Sequence, residues 1–243
     1  MERYIKKNQK NLKCGVTTGT CAAAAAKAAA SCLLLGICPE YVQIDTPKGV
    51  TVKLPVSLVL KNAREAVYAV QKESGDDPDV TNHCKICVSV LRVKDKTREK
   101  NSFSDGRYPN LTLEGGAGVG RATREGLELE VGQAAINVTP RNMIFGAVGE
   151  ICDLAECAEE LLITVSVPEG EPLAKRTFNP KLGIIGGISI LGTSGILEPM
   201  SEKAVLDTIE LQIRQLSAQG KRSLLVTPGN YGQNFAESFL KLD

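Results

Sequence analysis

The chain has 243 residues, with 43% apolar and 23% charged residues and a net charge of +1, as in an ordinary globular protein. That balance supplies no electrostatic pull toward nucleic acid or an anionic membrane. Aromatic residues make up only 4% and tryptophan is absent, which argues against base-stacking platforms.

The first residues, MERYIKKNQKNLK, are basic with no apolar run behind them, so no secretory signal is read and a cytoplasmic setting is expected. No stretch reaches the roughly 18 apolar residues of a membrane helix. The eight cysteines are therefore expected as reduced thiols. Cys84 and Cys87 form a lone CxxC, too little for a zinc site, and no metal is expected on the protein.

Residues 14–36 hold the run Ala22 to Ala30, broken only by Lys27, which predicts a largely buried helix. Thr18, Gly19 or Thr20 can cap its start, and Gly36 is a natural stop. Thr17, Thr18 and Thr20 admit two readings: capping alone, or hydroxyls that join free N–H groups to bind a carboxylate or phosphate. Residues 41–56 predict a hairpin about Pro47-Lys48-Gly49, and 65–72 a strand, with a short helix as the alternative. Gly75 to Asp79 is a tight loop with three carboxylates, either a solvated turn or a site for a cation or proton. Residues 85–93 alternate as a strand and 94–110 are polar loop. Gly115, Gly116, Gly118 and Gly120 lead to Arg121 and Thr123. Such dense glycine suits either close approach to a ligand, with Arg121 as a carboxylate fork, or a bulge and turn. A helix is predicted over 142–160 and a strand over 161–167.

Pro168 to Pro180 is the expected domain boundary. Beyond it come a strand through Gly186-Gly187, a turn at Gly192-Thr193-Ser194-Gly195 and a helix over 202–219. A strand over 223–226 and a turn with Gly229 and Asn230 follow. This βαβα order predicts a parallel sheet with ligands at the strand ends. Two parallel strands are too few for a stable domain, so the second domain reads as cut short or leaning on other structure. The fold class expected is α+β over residues 1–180, with the alanine-rich helix buried, and α/β over residues 181–243.

Five segments carry a resemblance: TTGTCAAAAAKAA at 17–29, GDDPDVT at 75–81, GGAGVGRAT at 115–123, VGQAAINVTPR at 131–141 and TFNPKLGIIGGISILGTSGILEPMS at 177–201. With them the chain resembles the cobalt-precorrin-5B C(1)-methyltransferase family, often called CbiD. The resemblance implies S-adenosylmethionine-dependent methylation of C-1 of cobalt-precorrin-5B to cobalt-precorrin-6A in anaerobic cobalamin biosynthesis. Cobalt then belongs to the tetrapyrrole substrate alone, and a homo-oligomer is compatible with the family. It implies corrinoid contacts in the first domain and S-adenosylmethionine contacts in the second. Asp76 and Asp77 are the residues to balance the sulfonium or accept a proton. Thr17, Thr18, Thr20, Arg121, Thr123 and Arg141, with Arg124 and Lys175 beside them, are the carboxylate anchors. Gly186, Gly187, Ser189, Gly192, Thr193, Ser194, Gly195, Gly229 and Asn230 are the donor-binding positions. Three departures stand out: Asn82-His83 where family members often have His-Gly, Val138-Thr139-Pro140-Arg141 where they usually have Pro-Val-Pro-Arg, and, the more serious one, a length short of relatives that usually continue past residue 232 with further βα units. A non-catalytic corrinoid-binding or scaffolding subunit is the other function compatible with these residues.

Overall fold

A computed structural model describes residues 3–7, 9–94 and 101–223, together with positions 226, 232, 234, 235 and 238. A hairpin of β1 (Tyr4–Lys7) and β2 (Lys10–Lys13) leads through β3 (Gly15–Val16) into helix α1 (Thr18–Leu34). A second hairpin, β4 (Tyr41–Asp45) and β5 (Thr51–Pro55), precedes β6 (Ser57–Lys61), β7 (Glu65–Gln71) and β8 (Lys85–Arg92). Then follow β9 (Phe103–Ser104), β10 (Leu111–Gly115), β11 (Gly118–Val119), β12 (Arg121–Ala122), α2 (Val138–Leu154) and β13 (Leu161–Ser166). The last described elements are α3 (Gly170–Ala174), β14 (Ile184–Ile185), β15 (Gly187–Ile188), β16 (Ile196–Leu197) and α4 (Glu202–Ala218).

The central sheet runs β6-β7-β8-β13-β10-β9 and is mixed, with β10 and β13 parallel and its other pairings antiparallel. Along β13 buried and half-buried residues alternate, so one face meets the core and the other is partly solvated. Helix α1 packs on β7 and β8 and against α2. Eight of its alanines, Ala22 to Ala26 and Ala28 to Ala30, are fully buried. A helix wedged between a sheet and a second helix needs short side chains on nearly every face, and the alanine run provides them.

Thr17, one residue ahead of the expected caps, is the N-cap: its Oγ1 accepts from Thr20 N at 3.2 Å. Gly36 ends the helix in the left-handed region, at φ +73°. This turn brings Cys38 back to Cys32, and the two form a disulfide with Cα atoms 4.5 Å apart. The expectation of reduced thiols throughout is corrected here, because the reversal at Gly36 sets two cysteines six residues apart within bonding reach.

Helix α2 starts four residues earlier than predicted, since Pro140 is tolerated in a first helical turn. It stops at Leu154, and Glu156 turns away with φ +50°. Pro140 lies against Gly19 near the start of α1, and Lys27 meets Glu150 at 2.8 Å, about two to three turns further along both helices. Helices α1 and α2 therefore run parallel, with both N-termini at one end of the molecule.

The stretch 184–197 was expected to begin a separate parallel sheet. Instead β15 pairs with β11, β14 with β12 and β16 with β3, so these strands are knitted into the elements before residue 180. The connector itself carries α3. The strand predicted over 223–226 is absent at Ser223 and Val226, and Gly229 and Asn230 lie outside the described residues. No helix among the described residues is long and apolar enough to cross a membrane.

Candidate functional site

Around the parallel helix N-termini, four of the five sequence blocks meet. Thr18 Oγ1 donates to Leu191 O at 3.2 Å and accepts from Leu191 N at 2.8 Å. Thr20 Oγ1 donates to Gly195 O at 2.7 Å, and Gly19 N donates to Leu191 O at 2.9 Å. Thr18 and Thr20 are buried. Their hydroxyls thus dock the 189–195 loop instead of standing free for an anion. Gly192, at φ +140°, lies against Thr17, where a Cβ would come within 2.2 Å of Oγ1.

The glycines of 115–120 approach backbone, not open space. A Cβ on Gly118 would sit 1.8 Å from Val167 O, and one on Gly187 would sit 2.0 Å from Gly118 O. Gly120 N donates to Ile188 O, Ala135 N to Gly120 O and Ile190 N to Ala135 O, so segments 118–122, 134–137 and 184–190 form one closely packed cross-point. Ser189 Oγ donates to Asn179 Oδ1, and Asn179 Nδ2 to Gly187 O. Ser194 Oγ donates to Ile196 O, and Gly195 lies against Thr46. Of the donor-binding candidates, Gly187, Gly192 and Gly195 lie close against other segments of the chain, and the hydroxyls of Ser189 and Ser194 are hydrogen-bonded within it. Gly186, with open space where a Cβ would stand, and exposed Thr193 remain open.

The acidic loop is a strap. Asp76 Oδ2 accepts from Lys13 N at 2.6 Å and Asp77 Oδ1 from Met200 N at 3.0 Å, tying the first hairpin and the segment before α4 to one turn. Its inner side is held by Lys72, which is 2% exposed. Lys72 Nζ donates to Asp79 Oδ2 at 2.7 Å and to Ser74 Oγ at 2.5 Å, and Thr81 donates its N–H and hydroxyl to Asp79 Oδ1 at 2.7 Å each. Burial raises the Asp79 pKa, but Lys72 and the Thr81 bonds outweigh it and leave the carboxyl below its ordinary value. Burial also pushes the neighbouring thiols up, Cys21 to about 12 and Cys84 to about 11, so neither is a ready nucleophile. His83 takes φ +63°. Histidine here stands in a backbone conformation that glycine adopts freely.

Among the expected anchors, Arg121 is occupied: it donates to Gly115 O at 2.9 Å and Gly132 O at 3.1 Å, and meets Glu114 at 3.1 Å. Thr123 gives its N–H and hydroxyl to Gly183 O. Arg124 and Lys175 are exposed. Arg141 differs. Its guanidinium stacks on the Phe103 ring at 4.4 Å, its Nε is buried without a hydrogen-bond partner, and among the described residues it has no ion-pair partner. Burial lowers its pKa, with Glu128 opposing. It lies in the first turn of α2, whose N-cap Asn137 makes no capping bond. Val138 fills the first helical position. The N–H groups of Val138 and Thr139 have no partner among the described residues.

Lys72, Asp79, Phe103 and Asn179 were missed as site-building residues. Asp79 and Asn179 lie inside recognised blocks. Lys72 was missed because a strand-like run does not show that its ammonium is buried beside Ser74 and Asp79, and Phe103 because its partner Arg141 is distant in sequence.

Comparison with known proteins follows the same outline. A family model described as CbiD matches residues 5–199. A cobalt-precorrin-5B C(1)-methyltransferase of Ruminiclostridium cellulolyticum is 44% identical over 243 residues, covering 100% of this chain and 60% of the relative. The protein of that name from Alkaliphilus metalliredigens is 44% identical over 242 residues, again covering 60% of the relative. The chain thus spans about 60% of the length of these curated relatives. A crystal structure of cobalamin biosynthesis protein (cbiD) from Archaeoglobus fulgidus superposes with a TM-score of 0.61 at 32% identity, over 86% of this chain and 62% of that one. A mixed α/β fold of this outline and a family match over most of its length lead to one conclusion: the chain belongs to the CbiD family.

Proposed function

We propose that this chain acts in the S-adenosylmethionine-dependent methylation of C-1 of cobalt-precorrin-5B, giving cobalt-precorrin-6A in anaerobic cobalamin biosynthesis. The names of its relatives support the reaction. The observation that carries the substrate contact is Arg141, a stacked guanidinium at a helix N-terminus with no ion-pair partner among the described residues. A polycarboxylate tetrapyrrole offers the anion such a group lacks, and the helix dipole adds to the attraction.

The donor supplies an electrophilic methyl group, and the ring carbon supplies the nucleophile. The chain's task is then alignment and exclusion of water, with effective molarity providing most of the acceleration. Arg141 holds a substrate carboxylate. Thr18 and Thr20 fix the 189–195 loop as a rigid wall beside it. Asp76 and Asp77 each give one carboxylate oxygen to a backbone N–H and keep the other to balance positive charge or take a proton. In this reading residues 1–180 contact the corrinoid, residues 181–243 contact the donor with Gly186 and Thr193 as the open positions, and the reaction belongs to the cytoplasm.

The test incubates the purified chain with cobalt-precorrin-5B and S-adenosylmethionine and measures product mass. A gain of one methyl group is expected. Arg141→Ala is expected to weaken the corrinoid-induced spectral change by about tenfold, and an unchanged affinity would remove Arg141 from the anchors. Saturable spectral change without any mass gain would assign the chain to corrinoid binding alone.

A further inference from the structure

Helices α1 and α2 end in the same way, and each end carries two cysteines. Cys32 lies four residues before Gly36, which takes φ +73°, and Cys38 lies two residues after it. Cys152 lies four residues before Glu156, which takes φ +50°, and Cys157 follows it directly. In α1 the reversal brings the two sulfurs together as the Cys32–Cys38 disulfide. In α2 both cysteines are free thiols.

Two backbone bonds close the reversal after α2. Cys157 N donates to Cys152 O at 2.9 Å, and Glu156 N donates to Asp153 O at 3.3 Å. With Glu156 in the left-handed region this is the Schellman arrangement, in which the side chain after the turn folds back onto the last turns of the helix. The side chains so brought together are Cys157 and Cys152, and their thiols share a hydrogen bond. Cys152 is 4% exposed, whereas Cys157 is half-buried and borders a surface cavity of about 200 Å³ with Leu34, Arg92 and Glu159. Arg92 fixes this corner: its Nη2 donates to Leu33 O in α1, and its Nη1 donates to both carboxylate oxygens of Glu159. One thiol is thus reachable from solvent, and the other stands directly behind it.

We propose that Cys152 and Cys157 are a redox-active pair, which a low-molecular-weight disulfide converts to an intramolecular disulfide. In the first step Cys157 gives its proton to solvent, and its sulfur attacks one sulfur of the reagent. A mixed disulfide forms and one thiolate leaves. In the second step Cys152 gives up its proton, and its sulfur attacks Sγ of Cys157. The Cys152–Cys157 bond forms and the second thiolate leaves. Each thiolate takes up a proton, so the protein loses two hydrogens with their electrons and the reagent gains them. The order follows from exposure, since Cys157 is the thiol that a reagent in the cavity can reach. Burial, with Cys157 and Asp153 adding to it, pushes the Cys152 thiol up to about 12. That thiol is therefore slow toward reagents from solvent and suited to attack a mixed disulfide held against it. A dithiol reductant reverses both steps.

The test uses the full chain with oxidised glutathione as the probe. Trypsin leaves Cys152 and Cys157 on one fragment, residues 142–175, and Cys32 and Cys38 on another, residues 28–48. After exposure to the probe, acid quenching and alkylation in denaturant, fragment 142–175 is expected to carry no alkyl group and to be two hydrogens lighter than its dithiol form. Dithiothreitol before the alkylation is expected to restore two alkylated cysteines. In Cys152→Ala, with folding checked by far-UV circular dichroism, glutathione is expected to stay on Cys157 at about tenfold the level in the unmodified chain. In Cys157→Ser neither a disulfide nor a glutathione adduct is expected at Cys152. Two alkylated cysteines in the unmodified chain after exposure would overturn the proposal and leave the pair as the apolar contact that closes such a turn. A stable glutathione adduct on Cys157 of the unmodified chain, or a bond from Cys157 to a cysteine of another fragment, would overturn it equally.

Discussion

Single residues here earn their roles from burial and from the partners the fold brings to them. Lys72 sits in an apolar interior and is tolerable only because Asp79 and Ser74 meet its ammonium. Asp79→Asn would leave that cation without its counter-charge, and a loss of about 3–5 kcal/mol in urea unfolding at pH 7 is expected. The pH dependence has a definite sign. The folded Asp79 pKa lies below the unfolded value of about 3.9. The stability it contributes is present above that unfolded value and is lost as pH falls through the folded pKa. The gap between the native chain and Asp79→Asn should therefore narrow in unfolding curves below about pH 4. A constant gap from pH 7 to acid would mean that the pair is not ionic. Of the carboxylates in GDDPDVT, the sequence pointed to Asp76 and Asp77, because a loop pattern displays acidity but not burial. The buried lysine that selects Asp79 for the inner contact precedes the loop, at the end of a strand-like run.

At the level of elements, the alanine helix, the hairpin about Lys48 and the two strands from 65 to 92 follow from local pattern, whereas β3 and β6 were not foreseen. The glycine blocks were harder to read. Their spacing signals close approach without saying to what, and here the approach is of backbone to backbone. Gly118→Ala would push a methyl against Val167 O at φ +73°, and about 2–5 kcal/mol of destabilisation is expected. Gly186→Ala meets open space and bears only the cost of φ +87°, about 1–2 kcal/mol. Thermal melting of the two variants should separate them clearly, and equal losses would contradict the cross-point packing. At the start of α2, valine in the first helical position keeps an N–H that proline would lack, in the same turn as Arg141.

For the molecule as a whole, thiol chemistry gives a direct check. Cys21, Cys84 and Cys152 are buried with raised pKa values, and Cys32 and Cys38 are joined. Mass spectrometry after native alkylation should find all five unmodified, and a reductant should open Cys38 to labelling first. Labelling of Cys38 before reduction would remove the disulfide. The sequence by itself determined the family, the buried alanine helix and the blocks that converge, because local periodicity and block identity survive in one dimension. Tertiary structure alone decided which hydroxyls and guanidinium groups are already spent. Thr18, Thr20 and Arg121 look available in sequence, yet their partners stand up to 175 residues away. It also decided that 184–197 closes onto the first strands, since strand pairing depends on which edges lie next to each other in space.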